Sequence, residues 1–560
     1  MLNARPSFTI ALLASLLLIS VACRTGPKAE QIFTNGHAIT MNGSAPKAEA
    51  FAIGHGKIVA VGSRQELRAR YTGAAEIDLK GKTVMPGIIE SHGHLLNLGR
   101  SSLELNLVGV ATPAEVAQKV RERVAETAPD EWIIGWGWDE GAWASSYPTN
   151  EELNRIAPRN PVWLKGLHGF AGWANARALE TAGITKDTPD PERGKIIKDT
   201  QTGIPTGILT DQAQQLLAKH IPPLNQEQSE KALLLAQEEC LRHGLTTVHD
   251  ARVTRTVLDA LHALAAKKLL KLRVYAMLDG ADGELVASHF RSGPEIDPEH
   301  WLTVRSIKVF ADGALGSRGA ALLEPYSDAP GTRGLETTSK EALFDLTTRA
   351  LYAGFQVVTH AIGDRGNRNT LDAYEAALKK VPAARDPRLR IEHAQVVAPG
   401  DIPRFAQLKI IASMQPPHCT SDMPWAEARI GPERIKGAYA WRRFLEAGVR
   451  LALNSDFPGE TLDPFYGMYA AETRQTPEGK PEGGWYPEQR LTRQEVLRAY
   501  TVASAYAGFD EEIKGQIAPG KLADFIVLSD DIATLPSHSL LTLRVEQAYV
   551  GGKLMFESKR

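Results

Sequence analysis

Two histidines separated by one glycine, His92-Gly93-His94, close a short apolar run from Val84 to Ile89 that Pro86 and Gly87 punctuate. In an extended segment, residues two apart project to the same side, so both imidazoles can grip one cation from the end of a single strand. A lone His-x-His carries little weight, since two polar loop residues would look the same. Further groups of metal-binding type recur at the ends of later apolar runs: Lys308 in Ile307-Lys308-Val309-Phe310, His360 after Gln356-Val357-Val358-Thr359, His393 in Arg390-Ile391-Glu392-His393, and Asp456 after Leu451-Ala452-Leu453-Asn454-Ser455. Imidazoles and a carboxylate suit a borderline cation such as Zn²⁺. An ammonium repels a cation, so Lys308 fits the set as a carbamate made from CO₂, which supplies two bridging oxygens. A cation held there lowers the pKa of its water from ~15.7 to about 7. Asp456 is then placed to take the proton from that water and pass it to a leaving group. Residue types leave open whether one or two cations are held, and whether zinc or another divalent metal.

These residues need a scaffold that brings strand ends together. A unit recurs along the chain: an amphipathic helix, a glycine, then a short apolar strand with a polar end. Leu233 to His243 leads through Gly244 to Thr246-Thr247-Val248-His249-Asp250. Leu343 to Ala353, opened by a capping box of Thr338 and Glu341, leads through Gly354 to Gln356–His360. Phe444 to Ala447 leads through Gly448 to Arg450–Asp456. Glycine is favoured just past a helix end, and strands alternating with helices imply parallel βα units. Strand candidates at 84–90, 246–250, 272–278, 304–310, 356–360, 388–393, 409–414 and 450–456 predict an α/β chain built on a (β/α)8 TIM-type barrel. Active sites of such barrels lie at the C-terminal strand ends. The barrel is expected over 84–509, with an insertion at about 100–230 that holds strand-like runs Trp132–Trp138 and Val162–Leu167. Short strands and turn signals at both termini, including a hairpin at Phe51–Val61 and a pairing of Val545–Val550 with Lys553–Phe556, predict one composite β-sandwich from 23–83 and 510–560.

The ordered set of motifs resembles the amidohydrolase superfamily, and within it the amidohydrolase-3 branch that includes N-substituted formamide deformylases. The resemblance rests on Pro86–His94, Lys308–Arg318, His360–Arg365, Ile391–Gln395, Asn454–Pro458 and Gly515–Asp524, and it spans nearly the whole chain after residue 22. It implies a barrel plus β-sandwich, a carboxylated lysine at Lys308, metal ligands at His92, His94, Lys308, His360, His393 and Asp456, and hydrolysis of an amide-type bond. Two positions depart from the pattern. Glu90 stands where the branch usually has Asp, a conservative change. Phe170 stands where many members have His, which bears on substrate class.

Composition sets outer bounds. The chain has 560 residues, 43% hydrophobic and 23% charged, with a formal net charge of -2, so no basic field favours nucleic acid. Arg5 and the apolar run Phe8–Val21 read as a signal peptide of residues 1–22, with Ser20-Val21-Ala22 as the cleavage site. Cys23 then becomes the first mature residue and a candidate lipidation site, alternatively an incidental cysteine of an ordinary secreted protein. The expected location is the cell envelope or periplasm, with membrane contact through that lipid alone. Three cysteines exclude a disulfide-dense scaffold. Candidate substrate contacts are Trp138, His168, His249, Asp312 and Arg318. Each has a plainer alternative: core packing for Trp138, a packed or hydrogen-bonded ring for His168 and His249, and loop stabilisation for Asp312 and Arg318. The expected partner is a small molecule carrying an amide, formamide or related C–N bond.

Overall fold

A computed structural model describes residues 28–138, 147–166, 171–192 and 194–559. The expected leader, Cys23, His168 and Phe170 lie outside the described residues. The centre is a nearly closed barrel of eight parallel strands: β1 (Ile88–Gly93), β2 (Leu245–Val253), β3 (Arg273–Asp279), β4 (Leu302–Phe310), β5 (Gln356–Ala361), β6 (Arg390–His393), β7 (Ile411–Met414) and β8 (Leu451–Leu453). Each pairs in parallel with the next in sequence. The seam between β8 and β1 is bridged by Ser91 Oγ donating to Leu453 O (3.1 Å), Asp456 N to His92 O (3.1 Å) and His94 N to Phe457 O (2.9 Å). Those bonds bring the two ends of the metal-ligand sequence side by side.

The recurring glycines do what the helix-to-strand turn requires. Gly244, Gly354 and Gly448 take φ of 79°, 80° and 79°, a left-handed backbone that a side chain disfavours. The helix Gln226–Arg242 before Gly244 starts with a capping box of Asn225 and Gln228. Strands β2 and β3 follow as nearly unbroken buried runs, as expected of parallel strands covered on both faces.

Two local expectations are corrected. The run 84–90 is not one strand. Thr83–Pro86 pairs antiparallel with Phe525–Leu528 and parallel with His37–Ile39 in a terminal sheet, and the barrel strand starts at Ile88. Gly87 is the break: a Cβ there would sit 2.1 Å from Thr246 Oγ1, so the chain turns where only glycine fits. The helix Lys340–Tyr352 is capped by Ser339, whose side chain accepts from Ala342 N, and not by a Thr338–Glu341 box.

Strands from both chain ends form two further sheets. One has the order 57–62, 50–54, 31–34, 75–78; the other runs 553–557, 545–550, 525–528, 83–86, 37–39, 47–48. Between them Phe33 stacks on Phe51 (5.0 Å), Phe525 on Tyr549 (4.5 Å), and Phe33 meets Phe525 edge-on (5.0 Å). A buried, two-bond ion pair of Arg273 with Asp524 (2.6 and 3.0 Å) ties β3 to this unit. The insertion after β1 has a core of its own around a six-stranded sheet in the order 105–106, 133–138, 162–166, 171–174, 205–210, 196–198.

Candidate metal centre

The ligand-type residues converge at the C-terminal ends of five barrel strands. The nearest ligand atoms of His92, His393 and Asp456 all lie within 4.8 Å of one another. Asp456 Oδ1 is 3.2 Å from His94 Nε2 and 3.6 Å from His92 Nε2. Lys308 Nζ is 3.4 Å from His92 Nε2, and the rings of His360 and His393 are 4.4 Å apart. All six residues recognised from sequence therefore belong to one cluster.

Ring tautomers decide what the cluster can hold. His94 Nδ1 is 2.9 Å from Ala251 O, a carbonyl that can only accept, so Nδ1 carries the hydrogen. His393 Nδ1 donates to Gln415 Oε1 at 2.9 Å, and His92 Nδ1 donates to the Glu392 carboxylate. Neutral rings of His92 and His393 held this way direct bare Nε2 lone pairs into the cluster, while His94 Nε2 faces the Asp456 oxygen at 3.2 Å. Asp456 Oδ1 and His360 Nε2 are buried without a hydrogen-bond partner. Imidazole lone pairs converging on a carboxylate are reconciled by a cation, and nitrogen plus carboxylate donors are the set that divalent zinc takes. The residues present fit such an ion.

Electrostatics agrees. Burial pushes His92 down to about 4 and His360 to about 3, with the Lys308 charge adding to both, and holds His393 well below its ordinary range. These rings stay neutral and able to bind a metal. His94 is different: burial opposes its charge, but the hydrogen bond to Asp456 overrides it and raises its pKa, so a proton can stand in there for the cation. Burial also opposes ionisation of Asp456, yet the surrounding histidines hold its carboxyl well below the carboxylate range. Burial brings Lys308 down to about 8, against partial support from the Glu392 and Asp456 charges.

Backbone strain marks the same place. His393, Ala394 and Asp456 have φ of 69°, 40° and 61°. Non-glycine residues in that region cost ~1–3 kcal/mol each and persist where surrounding structure fixes them. Gly93, between the paired histidines, packs against Phe457; a Cβ would sit 2.5 Å from that ring.

Four of the five expected substrate contacts lie among the described residues, each with a protein partner of its own. Trp138 is fully buried in the insertion core, where its indole donates to Leu164 O (2.8 Å); it lines no open wall. His249 is buried on β2, held through Nδ1 by Arg390 (3.0 Å). Asp312 accepts from Ala321 N, Ile362 N and Gly363 N (2.8–2.9 Å), fixing the loops after β4 and β5. Arg318 pairs with Asp328 (2.8 and 3.1 Å) on the same loop. Sequence reasoning missed Glu392, Arg390 and Gln415. Strand alternation would turn Glu392 away from His393, but the left-handed backbone at His393 lets neighbours share the site.

The fold and this ligand set define a metal-dependent hydrolase class of barrel. The profile of the amidohydrolase family, Amidohydro_3, matches residues 75–556. Protein LONG AFTER FAR-RED 3 of Arabidopsis thaliana is 35% identical over 556 residues, covering 96% of this chain and 94% of its own. N-substituted formamide deformylase of Arthrobacter pascens is 30% identical over 543 residues, 93% of this chain and 97% of its own. An uncharacterized metal-dependent hydrolase from Pyrococcus furiosus superposes with a TM-score of 0.76 at 30% identity, covering 90% of this chain and 100% of its own. The chain belongs to the amidohydrolase family.

Proposed function

We propose that this protein hydrolyses an amide-type C–N bond in a small molecule, such as an N-formyl or N-acyl amine, with water as the nucleophile. The observation that carries the reading is Asp456 Oδ1, which faces the Nε2 atoms of His92 at 3.6 Å and His94 at 3.2 Å, close enough for one ion to take all three. A divalent cation, zinc by the donor set, would be held by His92, His94 and Asp456, with His360 and His393 offering a second position; when bound, it supplies acidified water and polarisation of the scissile carbonyl. Asp456 does the proton work. Its carboxylate, ionised at neutral pH, accepts the proton of the attacking water at Oδ1 or Oδ2 and returns it to the leaving nitrogen. His94, His92 and His393 keep fixed tautomers through Ala251, Glu392 and Gln415, so the donors need no rearrangement as charge develops.

Lys308 is suited to carboxylation. With a pKa of about 8, a substantial fraction of its amine is neutral near physiological pH. That amine adds to CO₂ and releases one proton, which leaves a carbamate anion beside His92. The formamide deformylase relative supports the choice of N-formyl amines as first substrates. We also propose that residues 1–22 direct export and that Cys23 is lipidated; mass spectrometry of membrane-associated protein would show the acylated N-terminus.

The test is an assay of zinc-loaded protein on a panel of N-formyl and N-acyl amines, with Asp456→Asn alongside. Turnover of panel members that the variant loses is expected. Tight binding of amides without any turnover would instead make the chain a binding protein.

A further inference from the structure

Beneath the cation-facing side chains runs a buried charged stack that joins four barrel strands. His92 Nδ1, on β1, meets the Glu392 carboxylate on β6. Arg390, two residues earlier on β6 and so on the same face, grips that carboxylate twice: Nε to Oε1 at 2.9 Å and Nη2 to Oε2 at 3.0 Å. Arg390 Nη1 is held by His249 Nδ1 on β2 (3.0 Å), and Nη2 also reaches Ser91 O on β1 (2.6 Å) and Ser413 Oγ on β7 (3.3 Å). Arg390 and Glu392 are both 0% exposed. The space around His249 is itself tailored, since a Cβ on Gly508 would meet its Nε2 at 2.8 Å.

His92 differs in this from His94 and His393. His94 and His393 give their Nδ1 hydrogens to neutral acceptors, a backbone carbonyl and an amide oxygen. The partner of His92 is charged. A carboxylate on the far nitrogen fixes the tautomer and raises the basicity of the ligating nitrogen. Apolar residues of similar volume are often as stabilising as a buried ion pair, so fold stability alone gives weak reason for placing one here. Its placement directly behind a ligand nitrogen gives a better one.

We propose that Glu392 and Arg390 are positioning residues that fix the His92 tautomer and aim its Nε2 at the cation position, so that retention of the metal depends on this pair. The inference rests on the metal reading of the site. It is tested on the full chain by chelator competition for zinc, and by the visible spectrum of the Co²⁺-loaded protein, which reports the donor set. Glu392→Gln is the direct variant, but it leaves Arg390 as a lone buried charge. The double variant Arg390→Met/Glu392→Met removes both charges and keeps side-chain volume. The expected result is a folded double variant whose zinc affinity is about 10- to 100-fold weaker and whose Co²⁺ spectrum is altered. A merely structural pair would change the thermal midpoint of the metal-free protein and leave the affinity of the folded form untouched. A folded variant with the parent's affinity and spectrum overturns the proposal, as does failure of both variants to fold, since the pair would then serve the fold. A parent chain that binds no zinc overturns the metal reading itself, and the inference with it.

Discussion

At the residue scale, the proposed chemistry rests on three side chains, and each answers to a separate measurement. Asp456 is ionised, strained at φ 61° and faces the Nε2 atoms of His92 and His94. Asp456→Asn keeps the shape but cannot move a proton, and kcat on an accepted amide is expected to fall by about 10²- to 10⁴-fold. An unchanged kcat would remove Asp456 from proton transfer. Lys308, brought down to about 8 by burial, is expected to give a carbamate ¹³C resonance after reconstitution with zinc and ¹³C-bicarbonate. Lys308→Ala should lack that signal; the same signal in both would assign it elsewhere. His94 has a raised pKa because Asp456 stabilises its charged form, so cation binding must displace a proton there. Zinc uptake is therefore expected to acidify an unbuffered solution and to tighten as pH rises through the His94 pKa. Affinity independent of pH in that range would contradict this account. The ligand types were legible in the sequence because each ends an apolar run. Their partners were not, because Glu392 and Gln415 act across strands that sequence cannot pair, and nothing local distinguishes them from ordinary polar strand residues.

At the element scale, the site depends on how β1 meets β8. Gly93 lets the Phe457 ring lie against the turn between the two histidines. Gly93→Ala pushes a methyl group into that ring and is expected to cost ~1–3 kcal/mol in stability, with lowered zinc stoichiometry; calorimetry and metal analysis would show both. Glu90 spans the same seam, its Oε1 accepting from Ser455 N (2.7 Å) and Ser455 Oγ (3.0 Å). Burial raises Glu90 from 4.5 to about 8, and the bonds from Ser455 only partly oppose it. A carboxyl whose folded pKa is raised adds stability that is complete below about 4.5 and is lost as pH rises through about 8. Metal-free protein should thus lose stability between those limits, by at most about 1.4 kcal/mol per pH unit from this group. Glu90→Gln should flatten that slope, and an unchanged slope would place the titration in other groups. The eight strands were legible because glycine turns and unbroken apolar runs recur in step. The break at Gly87 was not, because Thr83–Pro86 and Ile88–Gly93 are equally buried and only their partners differ.

At the scale of the whole molecule, one barrel carries the ligands, sheets from the two chain ends join beside it, and a separate sheet grows from the loop after β1. The insertion was visible as a break in rhythm, but Gly172 and Gly207 interrupt the runs 171–174 and 205–210, and 196–198 is only three residues long. Trp138 lies in the buried core that the insertion builds around its own sheet, the plainer of the two readings its sequence context offered. Everything above depends on one claim, that the converging histidines and Asp456 hold a metal. The direct measurement is the metal content of the chain from Arg24 onward, purified without added metal and without chelator, then reconstituted with zinc and bicarbonate. One or two zinc ions per chain, with amide hydrolysis that follows metal content, is the expected result. No stoichiometric metal after reconstitution would contradict the account at its centre.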